Sequence, residues 1–519
     1  MKMIQTSLSS RFAASILVLA VSCFGGGNKL LAQDISGGAS VLLASADVEA
    51  KLGKGIFTSP QNIAHAPKHL EKKTVARPVR AAHSQRQTTS SGRQETARTE
   101  ETKPRPAEST RPSGNPPKHV LTAEEYNKQG DDYFDVGQYE KAAQAYQQAV
   151  RLQPKYADAY LNLGETYFNL GRYDEALTAD KQAIQLKSDW ADAYQALGNA
   201  YLKLDRSNEA VEALKQALKL APKNDEARTS LSLAYYDQGV AAYNGNKYAE
   251  AAAAYQQAVN LKPDYAEAYN NLGDAYRRLD KFSEAIGAYK QAVHYKPDSV
   301  EAYSNLTLMY DKLARYAEAA DAYKQVIRLK PDDAEANNNM GYALGKTKRW
   351  NEAIEAFKRA IQLKPDYAEA HSNLGWAYNN VGNFNAALDP LKRAIQLKPD
   401  LPEGHFNIGI TYSRLGQKEE ALASFKETIQ LKPDWPAAQN NLGYAYGSLG
   451  KWKEAIESHK QATKLKPDYA GAYFNLGYAY LRSGNKNAAV EQYKILKNLN
   501  VPLANQLYLM IYRKPPPAT

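Results

Sequence analysis

From residue 123 onward, apolar and small side chains return along the chain with a period of 34. Numbered from the first residue of each unit, positions 4, 7 and 11 are mostly aromatic or aliphatic. Tyr269, Leu272 and Tyr276 are one such set, and their spacing places them on one face of a helix. Positions 17, 20, 24 and 27 repeat the logic, as in Phe282, Ala285, Tyr289 and Ala292. Glycine holds position 8 in ten units, Thr307 being the exception, and alanine holds position 20 in all eleven. Proline holds position 32 in nine, with Ser188 and Val501 departing. Gly273 and Ala285 leave room for two helices to cross closely, and Pro297 stops the second helix. Each unit is expected to be a helix-turn-helix pair, marginal alone and dependent on stacked neighbours.

The units start at Ala123, Ala157, Ala191, Ser232, Ala266, Val300, Ala334, Ala368, Pro402, Pro436 and Ala470. One phrase carries the period: KPDYAEAYNNLGDAYRR, at 262–278, returns as KPDYAEAHSNLGWAYNN, KPDWPAAQNNLGYAYGS and KPDYAGAYFNLGYAYLR. Before Ser232 the spacing is exceeded by seven residues, DEARTSL. Seven residues make about two helical turns, so the first helix of unit four is expected to lengthen without rotating its buried face. Asp180 replaces the usual aromatic at position 24 of unit two. A less regular first third and a uniform remainder are expected. After Val501, residues 502–512 (PLANQLYLMIY) read as a closing helix and 513–519 as a loose tail.

With G8, Y11, A20, A27 and P32 recurring across eleven units, residues 123–501 resemble the tetratricopeptide repeat family. The resemblance implies an all-α fold: a right-handed superhelical solenoid after a disordered N-terminal tail, its first helices lining a concave groove. In that family the groove is built from first-helix positions such as 2, 5, 6, 9, 12 and 13. Position 6 here reads Asn162, Ala196, Asp237, and then without a break Asn271, Asn305, Asn339, Asn373, Asn407, Asn441 and Asn475. A carboxamide both donates and accepts, so a line of them can pair with an extended peptide backbone. The line resembles the asparagine ladder in the repeat domain of the protein O-GlcNAc transferases. The alternative is that each asparagine bonds to an adjacent helix.

Position 9 reads Leu308, Tyr342, Trp376, Ile410, Tyr444 and Tyr478 in units six to eleven. This apolar stripe either meets a ligand or packs between neighbouring first helices. In units one, two, three and five the same position is Asp131, Glu165, Asn199 and Asp274. Position 2 is acidic in eight units, among them Glu267, Glu369 and Glu403. Family members that capture chaperone C-terminal tails carry lysine or arginine there, so no carboxylate clamp is expected.

The formal charge of +10 changes the picture less than its size suggests. Residues 1–32 hold three Lys/Arg and no acid, 33–118 hold fourteen against eight Asp/Glu, and the rest 49 against 48. The repeats are nearly neutral, which argues against nucleic acid as a partner. The single cysteine, Cys23, excludes an intrachain disulfide and a cysteine-based metal site. Two cations up to Arg11 precede FAASILVLAVSC, a signal-peptide layout too short for an ordinary membrane span. LAVSC resembles the lipobox of bacterial lipoproteins, which makes Cys23 the lipidation candidate. Cleavage after Ser22 or Ala32, or an uncleaved membrane anchor, are the alternatives. Residues 33–118, rich in Pro, Ser, Thr and Arg, lack hydrophobic periodicity and read as a disordered tether. Its Arg/Lys excess also suits adhesion to anionic lipid, glycan or cell wall. His65 and His69 bring no further ligands with them, so no metal site is expected.

No nucleophile–histidine–acid set, phosphate-cradling loop or cofactor motif occurs along the repeats. His371 and His405 hold position 4, where other units place tyrosine, and are expected to pack in the core. The expected function is a non-catalytic scaffold without cofactors, exported to the periplasm or cell envelope, binding other proteins or peptides in the groove. A cytoplasmic or membrane-anchored assembly factor is the alternative. A targeting subunit of a glycosyltransferase complex is a third.

Overall fold

The computed structural model describes residues 121–513. The leader, Cys23, the tether with His65 and His69, and residues 514–519 lie outside the described residues. The described residues form 23 helices and no strand. They divide into two compact bodies, up to Met309 and from Tyr310 onward.

Helices alternate as the period requires. First helices begin at Ala123, Ala157, Ala191, Asp225, Ala266, Val300, Ala334, Ala368, Pro402, Pro436 and Ala470. Each has 13 residues except Asp225–Asn244, which has 20. The inserted DEARTSL therefore adds turns at the N-terminus of that helix. Asn224 caps it, its side chain accepting from Ala227 N at 2.9 Å. The irregularity expected of the first third is confined to this helix, because Asp180 is absorbed into a second helix of ordinary length, Tyr173–Leu186. Helix Val501–Tyr512 packs on the last unit through Ala504, Leu507 and Ile511.

The two helices of a unit meet where position 8 faces position 24. A Cβ on Gly273 would come 2.5 Å from Tyr289 Cε1, and one on Gly409 would come 2.8 Å from Phe425 Cε1. Glycine is required here by the ring lying on its backbone, and both rings are fully buried. Burying a side chain of this size contributes about 1.5–3 kcal/mol. The turn between the helices also has a fixed geometry. Position 15 is left-handed in every unit: glycine in six, and Asp205, Asn246, Asp280, Ala314 and Lys348 in the others.

The KPDY phrase clasps the end of the unit. Lysine at position 31 leaves the second helix with extended backbone, as the residue before proline is forced to do. Its ammonium then lies over the aromatic ring at position 34, as in Lys262 over Tyr265 at 5.0 Å and Lys364 over Tyr367 at 5.1 Å. Lysines of the same position reach the acids at position 2: Lys296 to Glu267 at 3.0 Å and Lys398 to Glu369 at 2.8 Å. These position-2 acids, Glu267 and Glu369, are thus held by the chain itself.

Candidate binding face of the first helices

The asparagines of position 6 lie along the first helices, and their amide nitrogens go mainly to the preceding unit. Asn305 Nδ2 donates to Asn270 Oδ1 at 3.1 Å, Asn373 to Asn338 Oδ1 at 2.9 Å, and Asn475 to Asn440 Oδ1 at 3.0 Å. Asn271 donates to Tyr236 Oη at 2.9 Å and Asn407 to Ser372 Oγ at 3.4 Å. Each partner stands 35 residues earlier, at position 5 of the previous unit. Asn339 accepts from Asn338 Nδ2 at 3.1 Å. Asn441 is the exception that explains the rule. Its position-5 neighbour is Phe406, which offers no acceptor, and Asn441 Nδ2 turns to Ala437 O of its own helix at 2.9 Å.

Burial divides the ladder. Asn339 and Asn373 are 1% exposed, and Asn271, Asn305 and Asn407 are also buried, whereas Asn441 and Asn475 are half-buried. The position-9 residues divide the same way. Tyr342 and Trp376 are buried, their rings 5.9 Å apart, and Trp376 meets Trp350 edge-on at 5.0 Å. Tyr444 and Tyr478 are half-buried, and Tyr478 packs edge-on against Trp452 at 6.0 Å. The position-9 acids of units one and five face inward: Tyr146 Oη donates to Asp131 at 2.7 Å and Tyr289 Oη to Asp274 at 2.8 Å.

Several groups on or beneath this face have displaced ionisation, His459, Asp311 and Asp180 among them. Burial holds the His459 imidazole at about 3, and its Nδ1 donates to Asn440 Oδ1 at 2.9 Å. Burial raises the Asp311 carboxyl to about 7, against the Tyr323 hydroxyl donating to it at 2.7 Å. Burial also pushes Asp180 well up, with Glu165 adding to it. His371 and His405 are not core residues. They are half-buried, and each Nε2 lies by the carbonyl of the preceding position-32 proline, 3.0 Å from Pro365 O and 2.8 Å from Pro399 O. Among the described residues no group of acids and histidines could hold a metal ion, and no helix is long and apolar enough to cross a membrane.

Sequence reading named position 5 as a groove position and position 17 as an apolar one, but missed that the first supplies the acceptors and the aromatic residues of the second support the position-9 rings. The polar character of Asn270, Asn338, Ser372 and Asn440 was the available signal.

Family models agree with this geometry along most of the chain. The TPR repeat model matches 130–171, 346–382, 377–416, 414–450 and 448–484. Tetratricopeptide repeat models match 155–223, 236–300, 272–334 and 471–500. The chain belongs to the tetratricopeptide repeat family. Solved structures similar to it include the APC/C hetero-tetramer Cut9-Hcn1, at 15% identity and TM-score 0.40, covering 76% of this chain and 97% of that one. Yeast Tom70 is similar at 15% identity and TM-score 0.35, covering 75% and 95%. MamA protein is similar at 27% identity and TM-score 0.30, covering 34% and 95%. Among curated proteins none matches. Tetratricopeptide repeats are in general protein-interaction modules without catalysis, and this chain carries such repeats along most of its length.

Proposed function

We propose that this tetratricopeptide repeat chain is a non-catalytic scaffold that holds an extended segment of another protein along its first-helix face. The observation that carries the reading is the row of half-buried polar and aromatic side chains in units ten and eleven: Asn441, Tyr444, Asn475 and Tyr478. Asn441 gives one N–H to its own helix and keeps its Oδ1 and second N–H for the face. Each amide–backbone bond nets only about 0.5–1.5 kcal/mol. Association and ordering cost more than a few such bonds return, so the tyrosines must supply the surplus. The more buried asparagines, Asn271 to Asn407, shape the face and reach a ligand only through atoms not engaged with the preceding unit.

Peptides selected from a random extended library against the full chain test this. Tyr444→Ala with Asn475→Ala should weaken them at least tenfold while helicity is retained. Unchanged binding would move the site off this face.

The cell envelope is proposed as the location, on the leader read in residues 1–32, with Cys23 as the lipid attachment point. Wild type should then incorporate labelled fatty acid and Cys23→Ser should not. An unlabelled wild type would remove the anchor.

A further inference from the structure

At the turn end of the helices, one ring-and-cation arrangement recurs. Arg278 lies 4.9 Å from the centre of the Tyr248 ring and donates Nη2 to its hydroxyl at 2.7 Å. Lys346 lies 5.6 Å from Tyr316, and Arg482 lies 5.2 Å from Trp452. Each ring is position 17 of one unit and each cation is position 13 of the next. The face of an aromatic ring carries negative quadrupole density, so an ammonium or guanidinium is the group it selects.

Trp350 is also a position-17 ring, but the position-13 residue that follows it is Asn380. Asn380 turns away and donates Nδ2 to Trp376 O at 2.8 Å. Trp350 is half-buried. The site is otherwise built with care. Gly345 admits both indoles, since a Cβ there would come 2.6 Å from Trp376 Cζ3 and 3.0 Å from Trp350 Cζ3. Trp376 is 4% exposed, and its indole N–H is buried without a hydrogen-bond acceptor. Tyr342 lies against Trp376 with the two ring planes tilted by 33°, and Asp311 has one oxygen without a hydrogen-bond partner.

We propose that Trp350 receives an arginine or lysine side chain of the bound segment, which takes the place that the solenoid's own cation fills at the Tyr248, Tyr316 and Trp452 junctions. The inference rests on the peptide-scaffold reading above and adds the ligand's charge and its position. Arginine fits better than lysine, because a planar guanidinium stacks on an indole and still has N–H groups for a neighbouring acceptor.

The test uses the full chain labelled with 5-fluorotryptophan, whose five residues give five fluorine resonances. Titration with Ac-Gly-Arg-Gly-NH2 should shift Trp350 and Trp376 and leave Trp452, already covered by Arg482, in place. Ac-Gly-Lys-Gly-NH2 should give a smaller shift and Ac-Gly-Gln-Gly-NH2 none. Asn380→Arg should fill the position from within: it should move both resonances without ligand and lose at least nine-tenths of the peptide-induced shift. Equal shifts with the glutamine peptide, or an undiminished response in Asn380→Arg, would overturn the proposal. If library peptides bind through Tyr444 and Asn475 while the arginine peptide moves neither Trp350 nor Trp376, this site fails and the scaffold reading stands.

Discussion

Asn373 donates to Asn338 across adjoining units at 2.9 Å, and Asn338 in turn donates to Asn339 at 3.1 Å. Three buried carboxamides thereby link two first helices. Removing the donor leaves the Asn338 oxygen buried without it, which costs about 1–3 kcal/mol. Asn373→Ala should lower the melting temperature clearly. Asn441→Ala, which breaks only a bond within one helix, should lower it by less than half as much. Equal losses in the two variants would show that the contact between units is not what the ladder contributes.

The imidazole of His459 occupies the position that Phe357 and Phe425 fill in other units, lying on Gly443 as they lie on Gly341 and Gly409. Its folded pKa of about 3 is below the unfolded value of about 6.5. The unfolded state therefore binds the proton more readily. Stability from this group is complete above pH 6.5 and is lost as pH falls towards 3, on the order of 5 kcal/mol in full. His459→Phe should remove that loss. Hydrogen exchange over residues 436–482, compared at pH 7 and pH 4.5, should show acid-induced opening in wild type and much less in the variant. The same opening in both would assign it to other groups.

Lys348 holds its turn with φ at 62°, where six other units have glycine. A residue with a Cβ is disfavoured there by about 1–2 kcal/mol, and part of that returns as the extra unfolded-state freedom of glycine. Lys348→Gly should therefore be neutral to stabilising by up to about 1 kcal/mol, and Gly416→Ala should destabilise by a similar amount. Thermal melts of the pair decide it. A destabilised Lys348→Gly would mean that the lysine side chain holds the turn more strongly than its backbone strains it.

The helix pairs were readable because glycine at position 8, alanine at position 20 and proline at position 32 each answer a steric demand that recurs in nearly every unit. The line of asparagines was readable too, as a line. Its partners were not, because Asn305 and Asn270 are 35 residues apart, one more than the period, and a register read within one unit does not reveal that offset. Trp376 was legible as a face residue but not as half of an indole pair, since Trp350 reaches it from the preceding unit's second helix. The inward turn of Asp131 and Asp274 was hidden for a similar reason: their tyrosine partners lie across the helix crossing, 15 residues on.

Asp180 lies on Gly164 where Leu214 and Leu391 lie on Gly198 and Gly375. Its carboxyl is 1% exposed, with Oδ1 lacking a hydrogen-bond partner, and burial raises its pKa well above the ordinary value. A buried polar group without compensation costs about 1–3 kcal/mol in proteins. The folded pKa here is the higher one, so the sign is opposite to that of His459. The contribution is most favourable below the unfolded pKa of about 3.9 and is lost as pH rises towards the folded pKa. Asp180→Leu places in unit two the side chain already accepted in units three and eight. It should raise the stability of residues 157–220 by about 1–3 kcal/mol at pH 7 and by less at pH 4. Hydrogen exchange in the helices Ala157–Asn169 and Tyr173–Leu186 reads this directly. A gain that does not grow with pH would mean that the carboxyl ionises in place, with water reaching it. No gain at all would mean that leucine cannot settle on Gly164 as it does on Gly198.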